Sequence, residues 1–440
     1  AVGSRCAIAV RSLCDRYEGG SRLSGRFAPH RVLRVVRLCD DDVVPVQHHV
    51  PLLPVETQMV HGARLAYMHV APQYERVTHP RRRIGLSSQH GLERVHPGLK
   101  LAYEKRARPQ YVARHQREPE TIQEVGEVMK KDPHYQAWSS LLRTSQEMMW
   151  SSTQIPVERA IVDLAAQSAD NTLGSLTLNP NLEIPSYHTA VDIHCQPGGY
   201  HTEYIDGDVA QGAIYDRAVY LYAMGQMGRN NADMGDSTVA WLKQNHPEFK
   251  PSRILDMGCA VGHSTLPYAI AYPGAEVHGI DVAAPMLRYA HARASAMEST
   301  VHFSQQNAEH TQFEDESFDL VVSHILLHET SSAAIKNVIK ECCRLLKPGG
   351  WMLHVETPPY EGMEAFDQFL FDWDSENNNE PFWRKSHQLD LQALAKNAGF
   401  TREVLQTMVP SAFQETQRTN TFQGGDFGGG GVWFVYGCQK

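Results

Sequence analysis

The chain has no apolar run approaching the roughly 20 residues that a membrane-spanning helix needs, and no basic start followed by a short apolar block. Neither a spanning helix nor a secretory leader is therefore expected, and the chain reads as a soluble, cytoplasmic protein without a membrane partner. Cysteine is scarce and scattered: there are 8 in 440 residues and none forms a CxxC pair. That pattern, with Cys259 and Cys342 inside expected buried elements, fits reduced thiols better than a disulfide framework. Lysine is nearly missing from the first quarter, where residues 1–117 carry 18 Arg, 2 Lys and 9 acidic residues inside a chain whose net charge is −9. That stretch also lacks any sustained helical or strand period. Asp40, Asp41 and Asp42 argue against an organelle leader, and the want of interleaved aromatics and lysines argues against a nucleic-acid arm. Residues 1–117 are expected to be a poorly ordered basic extension, which internal starts at Met59, Met68 or Met129 would shorten or remove.

From about Pro119 the pattern turns amphipathic. TIQEVGEVMKK, HYQAWSSLLRTSQEMMW and VERAIVDLAAQ place apolar residues at helical spacing, which is core or partner packing, and residues 118–235 are expected to form a helical cap. The segment after them holds His194, Cys195 and His201. Their spacing matches no common zinc pattern and no second ligand pair follows, so no metal is expected. His201, Tyr204 and Tyr215 stand just before the next domain, as a substrate wall or as aromatic packing between cap and core.

Residues 236–440 alternate strands and helices. RILDMG, AEVHGI, VHFSQQ, SFDLVVSHILL and WMLHVETPP read as strands, separated by helical segments such as SAAIKNVIKECCRLL. Such alternation specifies a mostly parallel sheet with helices on both faces. DLQALAKNAGF is a helix capped by Asp390 and stopped by Gly399, and TREVLQTMV and VWFVYGC close the series. A last strand reached through GGDFGGGG would run antiparallel, as the seventh strand.

The organising stretch is RILDMGCAVGHS, a buried strand running into a tight turn and a helix start. Glycine lets backbone N–H groups approach a ligand closely, and a helix N-terminus adds partial positive charge. The spacing is DxGCxxG, not the GxGxxG that shapes a pyrophosphate site, so a nicotinamide or flavin dinucleotide is disfavoured. One strand later Asp281 is positioned to accept the two hydroxyls of a ribose.

Together these features resemble motif I and the acidic residue after the second strand in the class I S-adenosyl-L-methionine (SAM) dependent methyltransferases, small-molecule branch. The resemblance covers residues 236–440 and implies a Rossmann-like, seven-stranded α/β fold with SAM as cofactor. By that resemblance Gly258 and Gly262 admit the methionine part of SAM, Asp256 and Cys259 belong to the turn, and Asp281 holds the ribose. Asn307 and Ala308 stand where the family meets the adenine, FDLVVSHILLHE and LLKPGG match the fourth strand and the loop before the fifth, and His324 forms part of the cofactor wall.

LLHETSSAAIKNVIKECCRLLKPGG is similar to the stretch of small-molecule O-methyltransferases in which a His followed by an acid serves as base, and His328 and Glu329 fall on those positions. Glu356 would orient a base, hold a substrate, or be a buried hydrogen-bonded carboxylate. Tyr360–Trp383, with six Phe and Trp residues and seven acids, reads as a lid or as the core of an insertion, and disfavours an anionic substrate. The expectation is methyl transfer to a small molecule, at oxygen by preference, with nitrogen or carbon open. A catalytically silent SAM-binding regulator and an RNA methyltransferase recruited by the basic arm are the alternatives. Oligomeric state has no signal in the sequence.

Overall fold

Central strands of a parallel sheet are buried on both faces, so they read as unbroken apolar runs, and Ile254, Leu255 and Met257 of one strand and Leu320, Val321 and Val322 of its neighbour are all fully buried. In the computed structural model, residues 98–440 are described apart from 170, 172, 224, 229 and 414–431, and all of them lie within one compact unit. The expected extension up to residue 97 and the glycine-rich reversal lie outside the described residues. Among the described residues no helix is long and apolar enough to cross a membrane.

The strands are β1 (Ser175–Thr177), β2 (Arg253–Met257), β3 (Glu276–Asp281), β4 (His302–Gln305), β5 (Phe318–His324), β6 (Leu346–Glu356), β7 (Leu405–Pro410) and β8 (Val432–Gln439). They form one sheet in the order β1-β4-β3-β2-β5-β6-β8-β7. All pairs are parallel except those of β8, which runs antiparallel to both β6 and β7, as expected for the last strand. The sheet has eight strands, not the expected seven. The additional strand, β1, is three residues long and partly exposed, and it pairs with β4 from Ser175 opposite His302 to Thr177 opposite Ser304. Its approach is set by Gly174 at φ +71°, where a Cβ would run into the Val301 carbonyl.

Alternation along the strands divides the core. Ile254, Leu320 and Val322 join Leu242, Leu266, Tyr268 and Leu287 on one face. Leu255, Met257 and Val321 join Ile335, Val338, Ile339 and Leu345 on the other. Each such fully buried side chain contributes roughly 1.5–3 kcal/mol.

A third cluster joins what the sequence suggests are separate parts. Helical structure runs over 98–115, on the extension side of the division expected at 117, and continues in Ile122–Met129 and Pro133–Arg159. The long helix starts at Asp132, whose carboxylate accepts the His134 N–H at 2.9 Å, and it passes through Pro156 before it ends. Leu99, Tyr111, Val125, Met129 and Trp138 from these helices pack against Phe366, Phe369, Trp373 and Trp383 of the insertion. Tyr103 stacks on Phe366 at 4.4 Å between ring centroids, and Trp138 meets Trp373 edge-on at 5.9 Å. Cap and insertion therefore form one body.

One buried group gives the fold a pH dependence. His354 of β6 is 0% exposed, within hydrogen-bond distance of Ser323 Oγ through Nδ1 (2.6 Å), and beside Cys342 and Tyr436. Burial pushes its imidazole down from 6.5 to about 4, against the pull of Glu356 and with the push of His324. The unfolded chain therefore binds the extra proton between these values. Stability from this group is complete above pH 6.5 and is lost as pH falls through about 4, by up to about 3 kcal/mol. Denaturant unfolding at pH 7.5 and 4.5 should show that loss, and His354→Gln, which does not titrate, should flatten it.

Candidate active site

The β2 strand ends in a turn that glycine makes possible. Gly258 has φ +69°, and the N–H groups of Gly258 and Cys259 both donate to the Ile280 carbonyl (2.8 and 2.9 Å), tying the turn to the end of β3. Ala260, at φ +45°, donates its N–H to Asp281 Oδ2 at 3.0 Å, and the Ala283 N–H donates to Oδ1 at 2.9 Å. Asp281 is thus clamped by the turn it faces. Burial raises its carboxyl, opposed by these two amides. Each oxygen keeps a lone pair for a ligand hydroxyl.

Behind the turn, Asp256 accepts from Thr265 Oγ1 at 2.5 Å and faces His324 Nδ1 at 3.3 Å, while His324 Nε2 meets the Tyr268 hydroxyl at 3.2 Å. With both nitrogens engaged, His324 is a wall residue and not a free base. A Cβ at Gly258 would stand 2.6 Å from Leu326 Cδ1. Gly258→Arg should therefore displace Leu326, fill the turn and abolish S-adenosylhomocysteine (SAH) binding by calorimetry, while Gly274→Ala, in open space, should leave it unchanged.

The turn opens onto a cavity of ≈ 200 Å³ at the carboxyl ends of β2, β3 and β5, the topological switch point where ligands of such sheets bind. Asp256, Gly258, Cys259, Asp281, Asn307, Ala308, His324, His328, Glu329 and Tyr215 all line it. Burial raises the Cys259 thiol well above its usual range, so it is not a nucleophile. Asn307 Oδ1 accepts the Glu309 N–H at 2.9 Å, which leaves one lone pair for a ligand.

The lining of the cavity also carries a cluster of titratable groups. His328, 1% exposed, has Nδ1 2.7 Å from Glu356 Oε2, and Glu356 Oε1 accepts the Leu327 N–H at 2.7 Å. Burial alone would lower the His328 imidazole, but Glu356 outweighs it and raises the group to about 9. His194 reaches the same space from the cap side. Its Nδ1 is 2.9 Å from Glu380 Oε1 and its Nε2 3.1 Å from Glu329 Oε1. Burial opposes its protonation, yet the two carboxylates raise it well above the usual range. Burial likewise opposes ionisation of Glu329, and the His194 hydrogen bond brings its carboxyl below its ordinary value. Asp374 joins through Asn378, which donates to it at 2.7 Å; burial and then Glu380 raise Asp374 to about 7.

The expected pairing of His328 with Glu329 is thus redistributed. Glu356 orients His328 from behind the cavity wall, whereas Glu329 faces His194. Gly262, at φ +76°, shapes the turn without lining the cavity. His201 and Tyr204 are not brought to the site. His201 lies against His188 with ring centroids 6.0 Å apart, and Tyr204, 36% exposed, anchors its own loop through Asp208. Tyr215 alone of the three reaches the cavity, stacked at 5.9 Å on His263, whose Nε2 is 2.5 Å from Asp216. Asp374 and Glu380 have no local signal, being two acids among seven in the insertion, and His194, noted in the sequence only beside Cys195 and His201, joins the site with other partners. Nor do His194, Cys195 and His201 converge, since the Cys195 thiol turns to Asn378 at 3.7 Å.

Residues 254–350 match the family model described as a methyltransferase domain. The malonyl-[acyl-carrier protein] O-methyltransferase of Methylococcus capsulatus is 31% identical over 118 residues, covering 27% of this chain and 41% of that protein. The demethylmenaquinone methyltransferase of Thermus thermophilus is 37% identical over 112 residues, 26% of this chain and 50% of that one. Among solved structures, phosphoethanolamine N-methyltransferase 2 of Haemonchus contortus with SAM has a TM-score of 0.40 and 21% identity, covering 51% of this chain and 57% of that one. The chain spans about half the length of the curated relatives it matches. These matches support a class I SAM-dependent methyltransferase domain within the chain.

Proposed function

We propose that the protein transfers the methyl group of SAM to a hydroxyl oxygen of a small organic molecule. The observation that carries the reading is one cavity lined both by a ribose-type carboxylate, Asp281, and by the Glu356-oriented His328. The sulfonium carries the reactivity. The protein's part is to align acceptor oxygen, methyl and sulfur, to exclude water, and to take up the acceptor's proton.

Asp281 receives the ribose hydroxyls, the Gly258–Ala260 turn the methionine part, and Asn307 and Ala308 the adenine. In its neutral form, whose share grows as pH rises toward about 9, His328 takes the acceptor's proton at Nε2 while Glu356 fixes the ring. Gln146, Met149 and Trp150 of the long helix and Trp383 of the insertion cover the acceptor. The carboxylates Glu329 and Glu380 there face the raised imidazoles of His194 and His328, so the charges offset and a neutral acceptor is favoured.

The test is a panel of phenols, alcohols, amines and thiols incubated with methyl-labelled SAM and the purified full chain. Transfer to oxygen is the expected result. SAH binding without turnover on any class would instead favour a silent regulator, and transfer to nitrogen would overturn the oxygen preference.

A further inference from the structure

We propose that His194, His328 and Glu329 bind a divalent transition-metal ion at the acceptor end of the cavity, with the free oxygen of Glu380 beside it. The three donor atoms lie within 4.8 Å of one another. Ligand atoms around a tetrahedral ion with bonds near 2.1 Å stand about 3.4 Å apart. His194 Nε2 to Glu329 Oε1 is 3.1 Å, and His328 Nε2 to Glu380 Oε2 is 3.9 Å.

An independent observation points to a missing ligand. His328 Nε2, Glu329 Oε2 and Glu380 Oε2 are all buried and have no hydrogen-bond partner among the described residues. His328 and Glu380 are each only 1% exposed, so water does not satisfy them from bulk, and buried polar atoms left in this state cost free energy. Two of them, His328 Nε2 and Glu380 Oε2, lie 3.9 Å apart, and the third is on Glu329, whose carboxylate belongs to the donor cluster.

The surroundings are those of metal-binding histidines. Such a residue presents one ring nitrogen to the ion and is held through the other by a carboxylate. His328 Nδ1 lies 2.7 Å from Glu356, and His194 Nδ1 lies 2.9 Å from Glu380, which leaves both Nε2 atoms toward the same space. His194 is also fixed through its backbone: its carbonyl accepts from Gln146 Nε2 at 2.8 Å and from Trp150 Nε1 at 2.7 Å, with φ held at +53°. Two imidazoles with carboxylates suit zinc, manganese or iron(II), and are a poor set for magnesium.

The inference shares the site of the proposed function but not its readout. An ion there would acidify an acceptor hydroxyl directly and make His328 its ligand. The experiment is calorimetric titration of the chelator-stripped full chain with zinc alone, then manganese, with magnesium as the control. One zinc per chain with Kd of about 1 µM or tighter is expected, falling at least about 10-fold in His194→Ala and in Glu329→Gln. A crystal soaked in zinc should give an anomalous peak about 2.1 Å from both Nε2 atoms, a result that does not depend on either variant folding. No binding, equal affinity for magnesium, affinity unchanged in both variants, or a peak elsewhere would each overturn the site. Full turnover in stripped enzyme would overturn a catalytic ion while leaving His328 as the base.

Discussion

Asp281→Ala should weaken SAH binding by roughly 100-fold or more. A hydrogen bond to a charged acceptor contributes about 1.5–3 kcal/mol, and a ribose offers two hydroxyls to this one carboxylate. The alanine also releases the Ala260 and Ala283 N–H groups that the two oxygens now accept at 3.0 and 2.9 Å, so the turn loses its brace together with the ligand's anchor. Asp281→Asn separates these contributions. It keeps one acceptor oxygen but turns an amide N–H toward one of those donors, and should fall between alanine and the parent chain. Calorimetry with SAH, alongside a melting curve for each variant, makes the measurement. Affinity within about threefold of the parent in a folded Asp281→Ala protein would remove the carboxylate from cofactor binding.

The features that made this part of the site legible are local. A buried strand, a DxGCxxG turn and an acid at the end of the next strand lie within 29 residues, and backbone geometry decides where each points. Parallel strands also announce themselves, because burial on both faces demands apolar runs such as Leu320–Val322. β1 escapes for the opposite reason. Three half-exposed residues have no period, and their pairing is decided by Gly174 closing on Val301, a contact made across more than a hundred residues.

The acceptor end is legible only in part because it is assembled from four distant stretches. His328 and Glu329 are neighbours in sequence, yet in the short turn Leu327–Glu329 they face different partners, Glu356 of β6 and His194 of the cap. Nothing in the spacing of residues 194, 328, 356 and 380 reveals that they converge. The aromatic insertion is more readable, since its Phe and Trp residues had to bury themselves somewhere. What composition does not reveal is that they bury against the cap helices, which brings Asp374, Glu380 and Trp383 into the cavity lining together with Gln146 and Trp150.

His328→Ala should lower turnover by about 100- to 10,000-fold, the range that a positioned acid or base supplies, and leave SAH affinity within about threefold. The separation follows from the proposed roles, which assign His328 to the acceptor and Asp281 and Asn307 to the nucleoside within one cavity. The substitution also strips Glu356 Oε2 of its 2.7 Å partner, although Oε1 keeps the Leu327 N–H. A buried carboxylate half-satisfied in this way costs stability, so His328→Gln is the necessary companion. Glutamine can still donate to Glu356, but cannot take up a proton at the cavity face, and should lose turnover nearly as fully while melting closer to the parent chain. Glu356→Gln, which keeps a hydrogen-bond partner for the ring and removes the charge, should show a smaller loss in kcat with KM little changed. Parent-level turnover in both His328 variants would remove this residue from proton transfer and from any metal-assisted step, because both roles require its Nε2.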